Sequence, residues 1–83
     1  MQPEQLIWWN QIARLLGGSF LRSDYKILLR HTMLSFMPVD GGFSSVAWKS
    51  SNGSMRESFD PMVTRETYTA EEAAERIRAT IAE

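Results

Sequence analysis

Apolar residues recur along this chain with two different periods. Near the N-terminus the spacing is helical. Set at 100° per residue, Leu6, Trp8, Trp9, Ile12, Ala13, Leu15 and Leu16 fall within an arc of roughly 180°, with Asn10, Gln11 and Arg14 opposite. Pro3 suits the first turn, where its missing N–H costs nothing, and Gly17-Gly18 supplies a stop. A helix resting on one sheet needs an apolar stripe little wider than ~100°. This helix therefore carries surplus apolar surface, with Trp8 and Leu15 at the margins of the arc and Ile7 outside it.

The last segment, YTAEEAAERIRATIAE, has a narrower stripe of Ala70, Ala73, Ala74, Ile77 and Ile81. Thr69 followed by Glu72 makes a capping box, and Glu71 and Glu72 sit where the helix dipole favours negative charge. Glu72 and Arg76 form an i, i+4 pair worth a few tenths of a kcal/mol.

Between the helices the period shifts towards two. Tyr25, Ile27, Leu29 and Met33 share one parity, while Leu34 and Phe36 share the other. A bulge near Arg30-His31 repairs the break, so 22–36 reads as a strand, with a helix as the alternative. PVDGG at 38–42 reads as a turn. In KSSNGSMRE, Asn52-Gly53 reads as a two-residue hairpin turn. That register sets Lys49 opposite Arg56 and Trp48 opposite Glu57. One face then holds Val46, Trp48, Met55 and Phe59, and the other Ser45, Ala47, Lys49, Arg56 and Ser58. Residues 62–68 read as a short edge strand or an extended linker.

These elements predict one α+β domain over 1–83, in the order α-β-β-β-α. Its three-stranded antiparallel sheet is packed on one face by the two terminal helices. The expected core is Trp9, Ile12, Leu16, Ile27, Leu29, Val46, Trp48, Phe59, Ala73, Ile77 and Ile81.

Composition narrows the chemistry more than it names it. With 43% hydrophobic and 23% charged residues, the chain is ordinary for a folded domain. It has no cysteine, which removes disulfides, thiolate nucleophiles and cysteine zinc sites. Its start lacks a basic n-region, and its longest apolar-leaning run, 27–37, is broken by Arg30 and His31. No signal peptide or membrane span is expected, and the location expected is the cytoplasm.

The net charge of −1 is unevenly spread, at +3 over residues 1–56 and −4 over 57–83. Lys26, Arg30, Lys49 and Arg56 are candidates for a basic sheet face that meets an acidic partner or nucleic acid. Lys49 directly opposite Arg56 is mildly unfavourable for folding alone, which points the same way. Against nucleic acid, five cations about the sheet are few and the pI is near 5.8.

Catalysis has no constellation to support it. His31 is the single histidine, short of the three or four ligands a metal site needs. The paired glycines lack phosphate-loop spacing. The chain is therefore expected to be a non-enzyme without cofactors. Protein binding is favoured, with Ile7, Trp8, Leu15, Glu71, Glu72 and Glu75 as candidate contacts, because surplus Trp-bearing apolar surface marks binding hot spots. The expected partner is a larger protein or protein complex, including one that handles nucleic acid, or a second copy docking through the first helix. A subunit of a phage particle or other assembly is a third reading. In size and architecture alone the chain is similar to small phage and mobile-element inhibitors of host machinery, anti-CRISPR proteins among them. That similarity implies occupation of a surface on a larger complex and assigns no residue a role.

Overall fold

Two helices bracket a meander of short strands. The computed structural model describes residues 1–58 and 62–82. In chain order these are α1 (Pro3–Leu15), β1 (Ser19–Leu21), β2 (Lys26–Leu28), β3 (Met33–Val39), β4 (Gly42–Lys49), β5 (Met55–Ser58), β6 (Val63–Thr64) and α2 (Ala70–Ile81). The class is α+β, with an antiparallel sheet in the order β1-β2-β3-β4-β5; β6 also pairs with β4, beyond the end of β5.

The helix signals act as expected. Pro3 occupies the first turn of α1. At the other end Gly17 adopts φ +82°, and the Gly18 N–H reaches back to the Ala13 carbonyl at 2.8 Å. In α2 the Thr69 hydroxyl accepts from the Glu72 N–H at 3.1 Å, and the Glu72 carboxylate accepts from the Thr69 N–H at 2.9 Å. With Glu72 engaged there, Arg76 instead lays its guanidinium over the Tyr68 ring, 5.6 Å from its centre.

The sheet has six strand segments where three were expected, because the single strand read over 22–36 is a hairpin. The Leu29 N–H donates to the Thr32 carbonyl at 2.8 Å, and Arg30-His31 form the tip. Chain reversal, not a bulge, changes the parity: Ile27 pairs directly with Leu34, and both are fully buried. The bulge lies further on, at Met37/Pro38 opposite β4. Residues 62–68 contain both features expected of them, the short strand β6 and then a turn held by the Tyr68 N–H to the Thr64 carbonyl at 2.9 Å. Gly42 lets β6 come close, since a Cβ there would collide with the Val63 carbonyl oxygen.

The second correction concerns the hairpin between β4 and β5. The Ser50 N–H donates to the Ser54 carbonyl at 2.8 Å, and the Gly53 N–H to the Ser50 carbonyl at 2.9 Å. The loop is therefore residues 51–53, ending on Gly53 at φ +89°. A two-residue type I′ turn needs positive φ at both central residues. Here Asn52 keeps negative φ, and its side-chain oxygen is held by the Ser54 N–H at 3.0 Å and by the Ser50 hydroxyl. The register that follows sets Val46 opposite Ser58, Ala47 opposite Glu57, Trp48 opposite Arg56 and Lys49 opposite Met55. A slip of one residue exchanges the faces of every side chain. Met55 and Glu57 thus leave the core side, Arg56 and Ser58 join it, and the expected Lys49–Arg56 opposition does not exist.

Both helices cover one face of this sheet. Trp9 is at the centre, stacked on Phe20 at 4.8 Å and 7°, and edge-on to Phe36 at 5.0 Å. Trp8, Ile12 and Ala13 of α1 are also buried, as are Ala70, Ala73, Ala74 and Ile77 of α2. The alanines let α2 lie close to its neighbours. The helices are tied by the Trp8 Nε1–H to the Tyr68 carbonyl at 3.0 Å and by Arg78 to the Leu15 carbonyl at 2.6 Å. Of the expected core, Leu16, Leu29 and Ile81 are only partly buried, and Phe59 lies outside the described residues. Leu34, Phe36, Phe43 and Val63 join it.

Candidate functional site: the open face of the sheet

Because both helices lie on one side, the other side of the sheet has no covering layer among the described residues. Strand alternation determines what it displays. Leu34 and Phe36 point inward on β3, so Met33, Ser35 and Met37 point outward. By the same rule β2 presents Lys26 and Leu28, β4 presents Ala47 and Lys49, and β5 presents Met55 and Glu57. The large apolar members are exposed: Leu28 by 41%, Met33 by 40%, Met37 by 59% and Met55 by 70%.

The ladder sets these side chains in levels. Leu21, Lys26, Ser35, Ala47 and Glu57 stand side by side across five strands. One level nearer the β4–β5 loop stand Leu28 with Met33, and Lys49 with Met55. The first level is small in the middle and charged towards its ends. The second is apolar except for Lys49, whose own aliphatic stem extends the surface. Methionine is unbranched and polarizable, so it conforms to an opposing surface rather than demanding one shape. This is a docking surface in its chemistry: shallow and apolar, with no concentration of reactive groups.

The candidate residues read from the sequence are scattered. Trp8, expected as an exposed contact, is 4% exposed; it packs against Trp9 and Phe43, and its indole N–H is bonded to Tyr68. Its place in the apolar arc marks the seam between α1 and α2, which both helices bury. Ile7 is exposed by 57% and Leu15 by 43%, so the surplus surface of α1 shrinks to those two. Leu15 does meet Glu71, across a shallow groove of about 250 Å³ that Gln11 and Arg14 also line. Glu72 is tied into the capping box and Glu75 is exposed.

The basic set is split. Lys26 and Lys49 share the open face with Glu57, Arg30 sits at the β2–β3 hairpin tip, and Arg56 lies on the opposite side with Trp48. Arg56, Lys49 and His31 reach the rim of a groove of about 650 Å³, whose other wall is the end of α2 at Ile81 and Ala82. A helix C-terminus carries partial negative charge, so cations there already face a local counter-field. Among the described residues no three His, Asp or Glu side chains gather as a metal site. No helix among them is long and apolar enough to cross a membrane.

The residues that the sequence reading missed are Leu28, Met33, Met37 and Met55. The signal for two of them lies in MLSFM at 33–37, which alternates cleanly once the chain is known to reverse at Arg30-His31. Compared with known proteins, the chain matches no family model, no curated protein and no solved structure.

Proposed function

We propose that this chain is a protein-interaction module that acts by laying its open sheet face on another protein surface. One observation carries the reading: Leu28, Met33, Met37 and Met55 are exposed together on the one face that neither helix covers. Exposed apolar side chains scattered singly need no explanation, but a cluster on one face is the mark of an interaction site. Occlusion of a surface on a larger complex, as a small inhibitor acts, is the mode of action that needs nothing beyond such a face. Nucleic-acid binding through a basic sheet face is disfavoured, because Glu57 shares the level of Lys26 and Arg56 is on the other side.

The test compares two faces. A Met33→Glu/Met55→Glu variant and an Ile7→Glu/Leu15→Glu variant are each checked for native circular dichroism and then used beside the unaltered protein in affinity capture. Proteins held by the unaltered chain should be lost with the sheet-face variant and kept with the α1 variant. Retention by the sheet-face variant, with loss on the α1 variant, would move the site to the helices and sink this reading.

A further inference from the structure

We infer that the open face takes a second copy of this chain, sheet against sheet, about a two-fold axis running along the strands between β3 and β4. This rests on the reading of the face as a docking surface and adds the identity of what docks.

The argument comes from the level that holds Leu21, Lys26, Ser35, Ala47 and Glu57 on β1 to β5. Lys26 and Glu57 are three strands apart, about 14 Å at ordinary strand spacing, so they do not pair within one chain. A two-fold axis along the strands between β3 and β4 exchanges β2 with β5 and β3 with β4. It brings Lys26 over Glu57 of the second copy and Ser35 over Ala47 of the second copy, and each contact occurs twice. The small central pair lets the sheets approach to the ~10 Å of a packed sandwich, with the natural twist supplying the usual crossing angle. At the next level Leu28 meets Met55 of the second copy, and Met33 meets the stem of Lys49.

The competing axis, across the strands within the same face, fails on charge. It lays each strand over its own counterpart, so that Lys26 faces Lys26 and Glu57 faces Glu57. Like-charge contacts of that kind are strongly disfavoured at an interface. The charge pattern is therefore self-complementary about one axis and self-repelling about the other. A two-fold interface requires that self-complementarity, because the same patch serves both partners.

Size sets the strength. Five strands at ~4.8 Å spacing and three residue levels make a face of roughly 20 by 15 Å, at the low end for a specific interface. The dimer is thus an exchanging one, with dissociation on the order of 10–100 micromolar.

Sedimentation velocity over about 5 to 500 micromolar brackets that range. The unaltered protein should shift from monomer to dimer. Lys26→Glu and Glu57→Lys should each weaken the dimer at least about tenfold, since each creates two like-charge contacts. The Lys26→Glu/Glu57→Lys double variant should restore it, and Met33→Glu/Met55→Glu should be monomeric. In a mixture of isotopically labelled and unlabelled chains, a zero-length carbodiimide should link Lys26 of one chain to Glu57 of the other. A protein monomeric throughout this range overturns the inference, as does a dimer indifferent to both single reversals. If it is monomeric while the sheet-face variant still loses a different captured protein, only the second-copy assignment falls. If that capture is also unaffected, the docking reading falls with it.

Discussion

Trp8 separates two accounts of this molecule, and replacing it measures which one holds. As a surface anchor its removal would change association and leave stability alone. In the structure its ring is 4% exposed, edge-on to Trp9 at 5.4 Å, and its Nε1–H donates to the Tyr68 carbonyl at 3.0 Å, tying the two helices. Trp8→Ala therefore removes a buried aromatic and leaves a cavity, a loss of about 3–5 kcal/mol. Stripping the Tyr68 carbonyl of its donor adds about 1 kcal/mol. At roughly 0.05–0.15 kcal/mol per residue, a domain of this length has about 4–12 kcal/mol in all, so the variant should lie near the edge of folding. Trp8→Phe keeps most of the ring and loses the hydrogen bond, for about 1–2 kcal/mol. Ile7→Ala, one residue along at a side chain exposed by 57%, should cost under about 0.5 kcal/mol. Urea unfolding followed by far-ultraviolet circular dichroism gives all three, with an unchanged m-value as the sign that only stability has moved. A Trp8→Ala protein within about 1 kcal/mol of the original would refute the placement of Trp8 in the core.

Three further substitutions test the backbone features that set the fold. Gly53→Ala forces an L side chain to φ +89° in the β4–β5 loop and should cost about 1 kcal/mol, or about 4–8 °C in Tm; an unchanged Tm would count against the three-residue loop. Gly42→Ala drives a methyl group into the Val63 carbonyl and should unpair β6, for about 2 kcal/mol or more, with faster amide exchange at Thr64 and Arg65 as the local signature. Unaltered exchange there would contradict the close approach. Thr69→Ala removes the acceptor for the Glu72 N–H and should lower stability by about 1 kcal/mol, while Thr69→Asp, which keeps an acceptor, should lose far less; equal losses would argue against the cap.

The helices were legible because their signals are local. Pro3, Gly17 and the Thr69–Glu72 pair each act within one turn of the chain, and each does in the structure what its type and position imply. The buried stripe of α2 could be read from spacing alone. The fold class followed from the change of period between the helices. The strand count did not, because a parity break has two causes that look alike in one dimension. A bulge and a chain reversal both move Leu34 and Phe36 to the other set. Arg30-His31 carries none of the Gly, Asn or Pro chemistry that marks a two-residue turn. The long-range pairing of Ile27 with Leu34 selects the reversal, since it brings two apolar residues together in the core.

The open face was hidden for a related reason, and its two halves depend on two such choices. Reading 22–36 as one strand leaves Met33 in line with the core set and gives Met37 no defined face. Reading Asn52-Gly53 as a two-residue turn puts Met55 and Glu57 inward beside Trp48. Each error is a shift of one residue, and together they remove three of the four exposed apolar residues and the acidic end of the charged level. The observed loop has a physical reason to win. Asn52 bonded to Ser50 and Ser54 keeps negative φ, and only Gly53 has to enter the left-handed region. Burial agrees with that choice, since the alternative would place Glu57 against the core and leave it without water. The register that keeps a carboxylate out of the core is thus the same register that sets Glu57 in line with Lys26 and Met55 beside Lys49. Avoiding a buried charge on β5 is what gives the outer face both its apolar surface and its self-complementary charges.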